Sequence, residues 1–537
     1  MSGPTHARRT AGGHLDTGVP SHRVLVAPPR ARRLRACRRP RAAAAAGLSS
    51  ACLVLAALPH QPPGPALARA GGDPGPKVAR VASAPLSFPL CSRSDRAGAL
   101  AALDALETPY VVMVRWGGSE SCAAGPLARK EPARGAAEDL RASIPTVALS
   151  MYGHMPWARA IVRDGADARA IVGSAQVAHV EVDAPLRWQG AASETGDDTY
   201  WRRQLDLQRA LVAGADGRGT AVVVAGEPVV MQHSIFGTER SVHAACFSEA
   251  GGDGTTMCPD NEIRRVGEGA ASRCDDLDWC RHGTEVASQV AASAPGAELI
   301  PIVVTSVNPD GPPIAMLSST VAALDYALGL KEQGLPVRAF EYSYGVPPVE
   351  GDSMCVSLYR SMVEGIGAAL DAGIAFVAAA GNGGGDLYCP AAMVRGSDPD
   401  GILAVAAVNE YDELEPFSSA APRAIGVSGA GIWCAQPGGE DSTGSGTSLA
   451  GGLAAGLVAD IGTALPNVSP SDLEGLLVGT GRLVSVPPGG TRGEGYGLPV
   501  PQVGVIVGAP GEPPGPQPGR PQPPVPVYCP FALHDHR

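Results

Sequence analysis

Between about residues 205 and 483, short uninterrupted apolar runs alternate with helical segments. The apolar runs do not alternate with polar residues, which is typical of strands covered on both faces. The candidate strands are Thr220–Ala225, Leu299–Val304, Arg338–Ser343, Ile374–Ala380 and Ile402–Val408. Helices are expected between them, for example Val356–Ala372, which stops at Gly373. The pattern predicts an α/β fold with a parallel sheet and helices on both faces, over residues 200–485.

A smaller unit precedes this region at residues 87–188. Its predicted elements are a strand Tyr110–Arg115, helices Ala136–Ala142 and Ala166–Val172, and a strand Gln176–Asp183. In the last strand apolar and polar residues alternate, so one of its faces is expected to be exposed to solvent. The unit is therefore predicted to be a small α+β domain.

The charge distribution excludes nucleic acid as the main partner. The net charge is −11, but residues 1–42 hold ten Arg and one acidic residue. The rest of the chain carries 32 basic and 52 acidic residues, a net charge of −20. A body this acidic would repel a phosphate backbone.

Residues 1–75 are predicted to be a leader. An Arg-rich stretch, Arg30–Arg41, precedes an uncharged apolar part at residues 42–58, and small-residue sites follow. This is the order of a secretory signal, so we expect a secreted extracellular or periplasmic protein without a stable membrane span. A permanent span, a twin-arginine signal at Arg38-Arg39 and lipidation of Cys52 remain alternatives.

The cysteines fit an exported protein. Four of the twelve fall within 35 residues: Cys246, Cys258, Cys274 and Cys280. Two disulfides in a loop-rich insertion are expected, with the pairing left open, because the spacing does not suit zinc. Cys355 and Cys389 are candidates for a third bridge.

The C-terminal part, residues 487–537, is predicted to be a flexible Pro-rich tail. Nine of the seventeen residues from Pro510 to Pro526 are Pro. Such a segment cannot form a helix or the interior of a sheet.

Three segments hold residues that can do chemistry. His282 lies where a helix opens, Asn382 follows a buried strand, and Ser448 lies in a Gly-rich turn that enters the helix Leu449–Ile461. Each segment alone is typical of an ordinary turn or helix cap. The three together, in the order His, Asn, Ser, indicate nucleophilic catalysis by a serine.

These motifs resemble those of the subtilisin-like (subtilase) serine peptidases, over roughly residues 105–490. His282 matches the catalytic His of H-G-T-x-V-A, Asn382 the oxyanion-hole Asn of A-A-G-N, and Ser448 the nucleophile of G-T-S-x-A. Ser343-Tyr344-Gly345 matches the family's S-x-G substrate-binding strand. The resemblance implies a subtilisin-like parallel sheet, and it implies that residues 87–188 are an inhibitory propeptide domain.

The family's first motif, D-T-G after a buried strand, is not matched. Counting back from His233 places the acid at Gly226, and anchoring on the strand end allows Ala225. Glu227 is the only acidic residue between Thr220 and Phe236. A shift of one residue at a strand end changes the side-chain direction, so the sequence predicts that the orienting carboxylate is missing, with substitution by Glu227 as the alternative.

Three functions are compatible with this pattern. The first is a secreted serine endopeptidase, made as a zymogen and weakened by the missing acid. The second is a catalytically inactive subtilase-fold binding or scaffold protein, and the third is an esterase or amidase that uses a Ser–His dyad. The expected partners are a polypeptide substrate and the chain's own propeptide, with the protein a monomer. No cofactor or metal is expected; structural calcium occurs in the family, but no specific ligand set is found here.

Overall fold

The computed structural model describes most of the chain between residues 86 and 509. The described ranges are 86–106, 108–117, 136–188, 199–237, 241–248, 255–308, 311–347, 355, 359–393, 400–486 and 495–509. The predicted leader at residues 1–75 and the Pro-rich run from residue 510 lie outside these ranges.

The first unit is a five-stranded antiparallel sheet with three helices. Its strand order is β1-β5-β2-β4-β3. The elements are β1 (Ser87–Pro89), α1 (Arg93–Asp104), β2 (Tyr110–Trp116), α2 (Ala136–Ser143), β3 (Ala148–Met151), β4 (Trp157–Val162), α3 (Gly165–Gly173) and β5 (Val177–Val182). The four predicted elements are present, and four more lie between and before them.

The prediction that β5 has a solvent-exposed face is wrong. All six of its residues are buried, including His179 and Glu181. One face packs on the helices of its own unit, and the polar face lies against the larger body, where Glu181 contacts Ser361. The polar residues of this strand therefore serve a contact with protein and not with water.

The larger body is a mainly parallel sheet between two layers of helices, as predicted. Eight of the described strands form it, in the order β17-β16-β15-β13-β7-β10-β8-β9. All neighbouring strands are parallel except β8 and β9. The strands of the chain after β5 are β6 (Pro185–Trp188), β7 (Ala221–Gly226), β8 (Ala245–Phe247), β9 (Arg264–Val266), β10 (Glu298–Val303), β11 (Thr305–Ser306), β12 (Ile314–Met316), β13 (Val337–Tyr342), β14 (Tyr344–Gly345), β15 (Ala375–Ala379), β16 (Ile402–Val408), β17 (Ile425–Ser428), β18 (Ile432–Ala435), β19 (Asp441–Gly444), β20 (Arg482–Val486) and β21 (Tyr496–Val500).

The helices of this body cover both faces of the sheet. They are α4 (Trp201–Gln204), α5 (Leu207–Val212), α6 (Leu277–Ser293), α7 (Leu317–Glu332), α8 (Arg360–Asp371), α9 (Thr447–Ala464), α10 (Pro470–Gly479) and α11 (Val503–Ile506). Among the described residues, α9 is the one helix long and apolar enough to span a membrane, and 89% of it is buried inside the protein. It packs against the sheet and against α6 as part of the core.

Part of the predicted flexible tail is folded. The boundary at residue 487 is placed too early, because β21 pairs antiparallel with β20 and α11 packs against α5. Leu498, Val500 and Val503 are fully buried. These apolar residues precede the Pro-rich run, and they join the core of the larger body.

Three disulfides have both of their cysteines in the described ranges. Cys246 pairs with Cys258 and Cys274 with Cys280, so each half of the predicted four-cysteine insertion is closed by its own bridge. Cys355 pairs with Cys389. Both expectations from the cysteine spacing are confirmed.

Helices α6 and α9 pack closely because α9 carries glycines at the crossing. A Cβ atom at Gly452 would lie 2.6 Å from the carbonyl oxygen of Val286, and one at Gly456 would lie 2.8 Å from Cβ of Ser293. Both distances are well inside van der Waals contact. The glycines therefore permit a helix spacing that no larger residue allows.

We expect Gly456→Ala to destabilise the protein by about 1–3 kcal/mol, because the added methyl group overpacks this crossing. The control is Gly479→Ala in α10, where a Cβ meets nothing within 4 Å. That change should be neutral or stabilise by up to about 1 kcal/mol, since Ala has the higher helix propensity. Urea unfolding of the two variants measures the difference, and equal effects would contradict the packing argument.

Candidate active site

His282 has a carboxylate partner, Glu227. The ring nitrogen Nδ1 lies 2.9 Å from Oε2 and 3.1 Å from Oε1 of Glu227. Both side chains are buried, and that of Glu227 is only 2% exposed. The prediction that the orienting carboxylate is missing is wrong: positions Ala225 and Gly226 hold no acid, but the next residue does.

The sequence pattern misplaces the acid for a geometric reason. Strand β7 ends at Gly226, so Glu227 leaves the sheet at the start of the following loop. A Cβ at Gly226 would face the ring of Tyr344 at 3.7 Å, whereas the Glu227 side chain reaches the imidazole. Counting positions along a strand cannot foresee how the chain turns after its last residue.

The segment His282-Gly283-Thr284 brings helix α6 against the loop that carries Glu227. A Cβ at Gly283 would lie 2.8 Å from the carbonyl oxygens of both Glu227 and Pro228. The hydroxyl of Thr284 accepts a hydrogen bond from the backbone N–H of Val230 at 3.1 Å. The glycine permits the approach, and the threonine fixes the loop beside the histidine.

The charge around His282 raises its affinity for a proton. Burial by itself lowers the pKa of His282, but the charge and hydrogen bond of Glu227 outweigh it. Glu285 and Glu341 add smaller effects in the same direction, so the pKa of His282 is raised above 6.5. A raised pKa favours the imidazolium form, which a histidine adopts when it accepts a proton as a general base.

A second buried carboxyl group, Glu341, lies beside this pair. Burial raises the pKa of Glu341 to about 8, although a hydrogen bond from Ser343 and the charge of His282 oppose the rise. A Cβ at Gly451 would lie 3.2 Å from Oε1 of Glu341, so the glycine leaves room for the carboxyl group. Sequence reasoning missed Glu341, because a single acidic residue inside a strand carries no signal of a site.

The packing of α6 on α9 puts Ser448 and His282 at matching turns of two helices. Gly452 contacts the turn at Val286, and Gly456 contacts the next turn at Val290, so the two helices run in the same direction. One turn earlier on each helix are Ser448 and His282. Ser448 is buried at the first turn of α9.

Asn382 lies at the same end of α9. Its Oδ1 atom accepts hydrogen bonds from the backbone N–H and from the hydroxyl of Thr447, both at 2.9 Å. Its Nδ2 atom and Oγ of Ser448 lie 3.3 Å and 3.7 Å from the position of a Cβ at Gly446. The amide nitrogen of Asn382 and the hydroxyl of Ser448 thus both lie close to Gly446.

The predicted substrate-binding residues Ser343, Tyr344 and Gly345 lie at a strand edge, but the side chains of Ser343 and Tyr344 are buried. Ser343 donates its hydroxyl hydrogen to Glu341, and Tyr344 donates to Glu227. What the segment offers is its backbone, since Tyr344 and Gly345 form strand β14.

The chain's own strand β6 occupies this edge. It lies between β12 and β14 and pairs antiparallel with both, with Arg187 opposite Ile314 on one side and Gly345 on the other. Leu186 of β6 is fully buried. An extended polypeptide therefore fits between these two strands by backbone pairing.

Two carboxylates of the first unit meet the N-termini of two helices of the larger body. Asp183 accepts from the backbone N–H of Ser318 at 2.9 Å, in the first turn of α7. Glu181 accepts from the backbone N–H of Ser361 at 3.2 Å, in the first turn of α8. Unpaired N–H groups and the helix dipole favour acceptors at these points, so the contacts fix β5 and the following β6 on the body.

Metal ligation has no candidate group in the described ranges, where no cluster of three or more His, Cys, Asp or Glu is arranged to hold an ion. The expectation that the protein has no specific calcium site stays a prediction.

Comparison with known proteins agrees with this geometry. Residues 254–497 match the model of the subtilase family. The solved structure of fervidolysin from Fervidobacterium pennivorans, a keratinolytic enzyme related to subtilisin, matches with 16% identity and a TM-score of 0.53, covering 81% of this chain and 63% of that one. A cold adapted subtilisin-like serine proteinase matches with 22% identity and a TM-score of 0.38, covering 53% of this chain and 89% of that one.

The fold is thus that of the subtilisin-like proteins, and residues 254–497 match the subtilase family model. The chain spans about 63% of the length of fervidolysin.

We expect Glu227→Gln to lower kcat about 10³–10⁴-fold, since loss of the orienting acid costs triad enzymes about that much. Without the negative charge the pKa of His282 falls, so the acid limb of kcat/KM should move to lower pH. A profile of peptide hydrolysis against pH measures both effects.

The matched control is Glu285→Gln. Glu285 also raises the pKa of His282 through its charge, but its carboxylate accepts a hydrogen bond from Gln436 and not from His282. A small shift of the acid limb with kcat nearly kept is expected. If both variants lost the same activity, the contact at Nδ1 would have no special role.

Proposed function

We propose that this chain is a secreted serine endopeptidase, made as a precursor whose residues 87–188 act as its own inhibitor. The observation that carries the proposal is the buried contact between Glu227 and Nδ1 of His282, on a helix that packs against the helix of Ser448. An acid, an imidazole and a serine in that order are the parts that acyl transfer requires. The contact argues against the loss of activity that a missing acid would cause.

The reaction follows from the positions of these groups. Oγ of Ser448 attacks the peptide carbonyl carbon while Nε2 of His282 takes the hydroxyl proton. Glu227 holds the ring in the tautomer that leaves Nε2 as the acceptor, and it stabilises the imidazolium cation. The C–N bond then breaks, His282 protonates the leaving amine, and water hydrolyses the acyl-enzyme by the same steps.

The negative oxygen of the intermediate needs donors that are already in place. We assign this role to Nδ2 of Asn382, which lies near Gly446, and to the backbone N–H of Ser448 at the N-terminus of α9. Removal of a comparable side-chain donor in subtilisin costs about 10²–10³-fold in kcat. Asn382 is therefore a catalytic residue of the proposed reaction.

The substrate is an extended polypeptide bound in the place of β6. Backbone pairing with β12 and β14 depends little on sequence, so the strand edges supply affinity for chains in general. Residues 185–188 hold this position before activation, and cleavage of the chain within residues 189–198 would release them. Export follows from the leader and agrees with the disulfides.

We expect the purified full-length chain to cleave itself within residues 189–198 and then to react with a fluorophosphonate probe, which labels activated serines. Ser448→Ala should show neither event, while Ser442→Ala, a change at a serine on strand β19, should show both. Mass spectrometry of the new N-terminus and of the labelled peptide measures the result. A wild-type chain that stays uncleaved and also fails to react after cleavage by an added protease would instead favour an inactive binding protein.

The contact of the first unit with the body should weaken in alkaline solution. Burial raises the pKa of Glu181 from 4.5 to about 8, so its contribution is fully present below pH 4.5 and is lost as the pH rises through about 8. Burial also lowers the pKa of His179 from 6.5 to about 3, so its contribution is present above pH 6.5 and is lost as the pH falls. Between about pH 4.5 and 6.5, a rise in pH weakens the contribution of Glu181 and strengthens that of His179. Above pH 6.5, only the contribution of Glu181 still changes, of these two residues.

Thermal unfolding of the uncleaved Ser448→Ala chain tests this. The midpoint should fall between pH 6.5 and 8.5, and Glu181→Gln should reduce that fall. Glu138→Gln, an exposed site in the same unit, should leave it unchanged. An equal fall in the Glu181→Gln chain would show that the buried carboxyl group does not set the pH dependence.

A further inference from the structure

Tyr344 belongs to two parts of the site at once. Its backbone forms strand β14, where it is paired with Trp188 of β6. Its ring is buried, with 2% of the residue exposed, and its hydroxyl donates a hydrogen bond to Oε1 of Glu227. One residue thus connects the strand that would bind substrate with the acid that contacts the catalytic imidazole.

Glu227 needs a second partner to stay in place. A glutamate has one more rotatable bond than an aspartate, so more rotamer freedom is lost when it is fixed. Its two oxygens lie at nearly equal distances from Nδ1 of His282, 2.9 Å and 3.1 Å, so this contact alone does not select one orientation of the carboxylate. The hydroxyl of Tyr344 selects Oε1 and leaves Oε2 nearest the ring.

The hydroxyl acts as the donor in this pair. Burial raises the pKa of Tyr344 well above 10, and the charge of Glu227 raises it further. The phenol therefore keeps its proton at neutral pH. A donated hydrogen bond to a buried carboxylate is among the stronger polar contacts in proteins.

We propose that Tyr344 is a positioning residue, which holds the Glu227 carboxylate in the orientation that His282 requires. The proposal rests on the proposed peptidase function for its kinetic consequences, but the contact itself can be measured without turnover. Because Tyr344 touches Glu227 and forms β14 through its backbone, removal of its hydroxyl should affect kcat and leave KM nearly unchanged.

The direction of the pH effect follows from the groups that face the pair. His282 is surrounded by Glu227, Glu285 and Glu341, and Tyr344 by Glu227, Glu341 and Tyr342. Without the phenol, the Glu227 carboxylate has one donor fewer and attracts the proton of the imidazolium more strongly. The acid limb of kcat/KM should then move to higher pH, opposite to the shift expected for Glu227→Gln.

The test compares Tyr344→Phe with Tyr342→Phe. Both tyrosines are buried, and each hydroxyl has a side-chain partner, but that of Tyr342 is Thr320 at 2.8 Å and not Glu227. For Tyr344→Phe we expect kcat to fall about 10–100-fold and the acid limb to rise by about one pH unit. For Tyr342→Phe we expect a lower melting temperature with kcat and the acid limb kept.

A double-variant cycle separates positioning from a general loss of structure. If Tyr344 acts through Glu227, Tyr344→Phe should have little further effect on kcat in the Glu227→Gln background. This background also removes the buried charge that would lack a donor, so the double variant is expected to fold. A full second loss of activity, or unchanged kcat and pH profile in the single variant, would overturn the proposal.

A measurement without turnover keeps this proposal distinct from the proposed function. In the Ser448→Ala chain, the NMR signal of the His282 Nδ1 proton reports the contact with Glu227. Tyr344→Phe should shift this signal and raise the pH at which the ring titrates, while Tyr342→Phe should not. If these shifts occur and the chain with Ser448 intact shows no peptidase activity, the positioning role stands and the peptidase proposal fails; if the shifts are absent, the positioning role fails by itself.

Discussion

The contact between Glu227 and His282 is the interaction on which the site depends, and it requires a close approach of two backbones. Helix α6 can lie against the loop at Glu227 and Pro228 only because residue 283 has no side chain. Thr284 then holds Val230, which follows in the same loop. In one helix, His282 thus supplies the imidazole, Gly283 allows the close approach, and Thr284 restrains the loop.

The site concentrates acidic groups in a region from which water is excluded. Glu227 and Glu341 are both almost fully buried near one imidazole, and burial of uncompensated charge is costly. Each carboxyl group has a hydroxyl donor: Tyr344 for the first and Ser343 for the second. Both donors come from the segment that also offers its backbone to an incoming strand, so the polar interior and the substrate edge are built from the same residues.

The interface between the first unit and the larger body uses the same principle of satisfying buried polar groups. The open N–H groups at the starts of α7 and α8 receive Asp183 and Glu181, and the pair Arg115 and Glu364 is buried nearby at 2.8 Å. These contacts hold β5, and β6 follows directly in the chain. The position of β6 between β12 and β14 is therefore a consequence of the docking of the whole unit and not of its own four residues.

The sequence by itself determined the α/β class, the positions of the principal strands along the chain, and the motifs that carry His282, Asn382 and Ser448. These features are local, because strand burial and helix entry leave their mark on neighbouring residues. The tertiary structure alone decided which acid meets the imidazole, what the polar face of β5 contacts, and where Tyr344 and Glu341 point. Those outcomes depend on the path of a loop after a strand end and on the packing of elements far apart in the chain, and neither leaves a periodic pattern in the sequence.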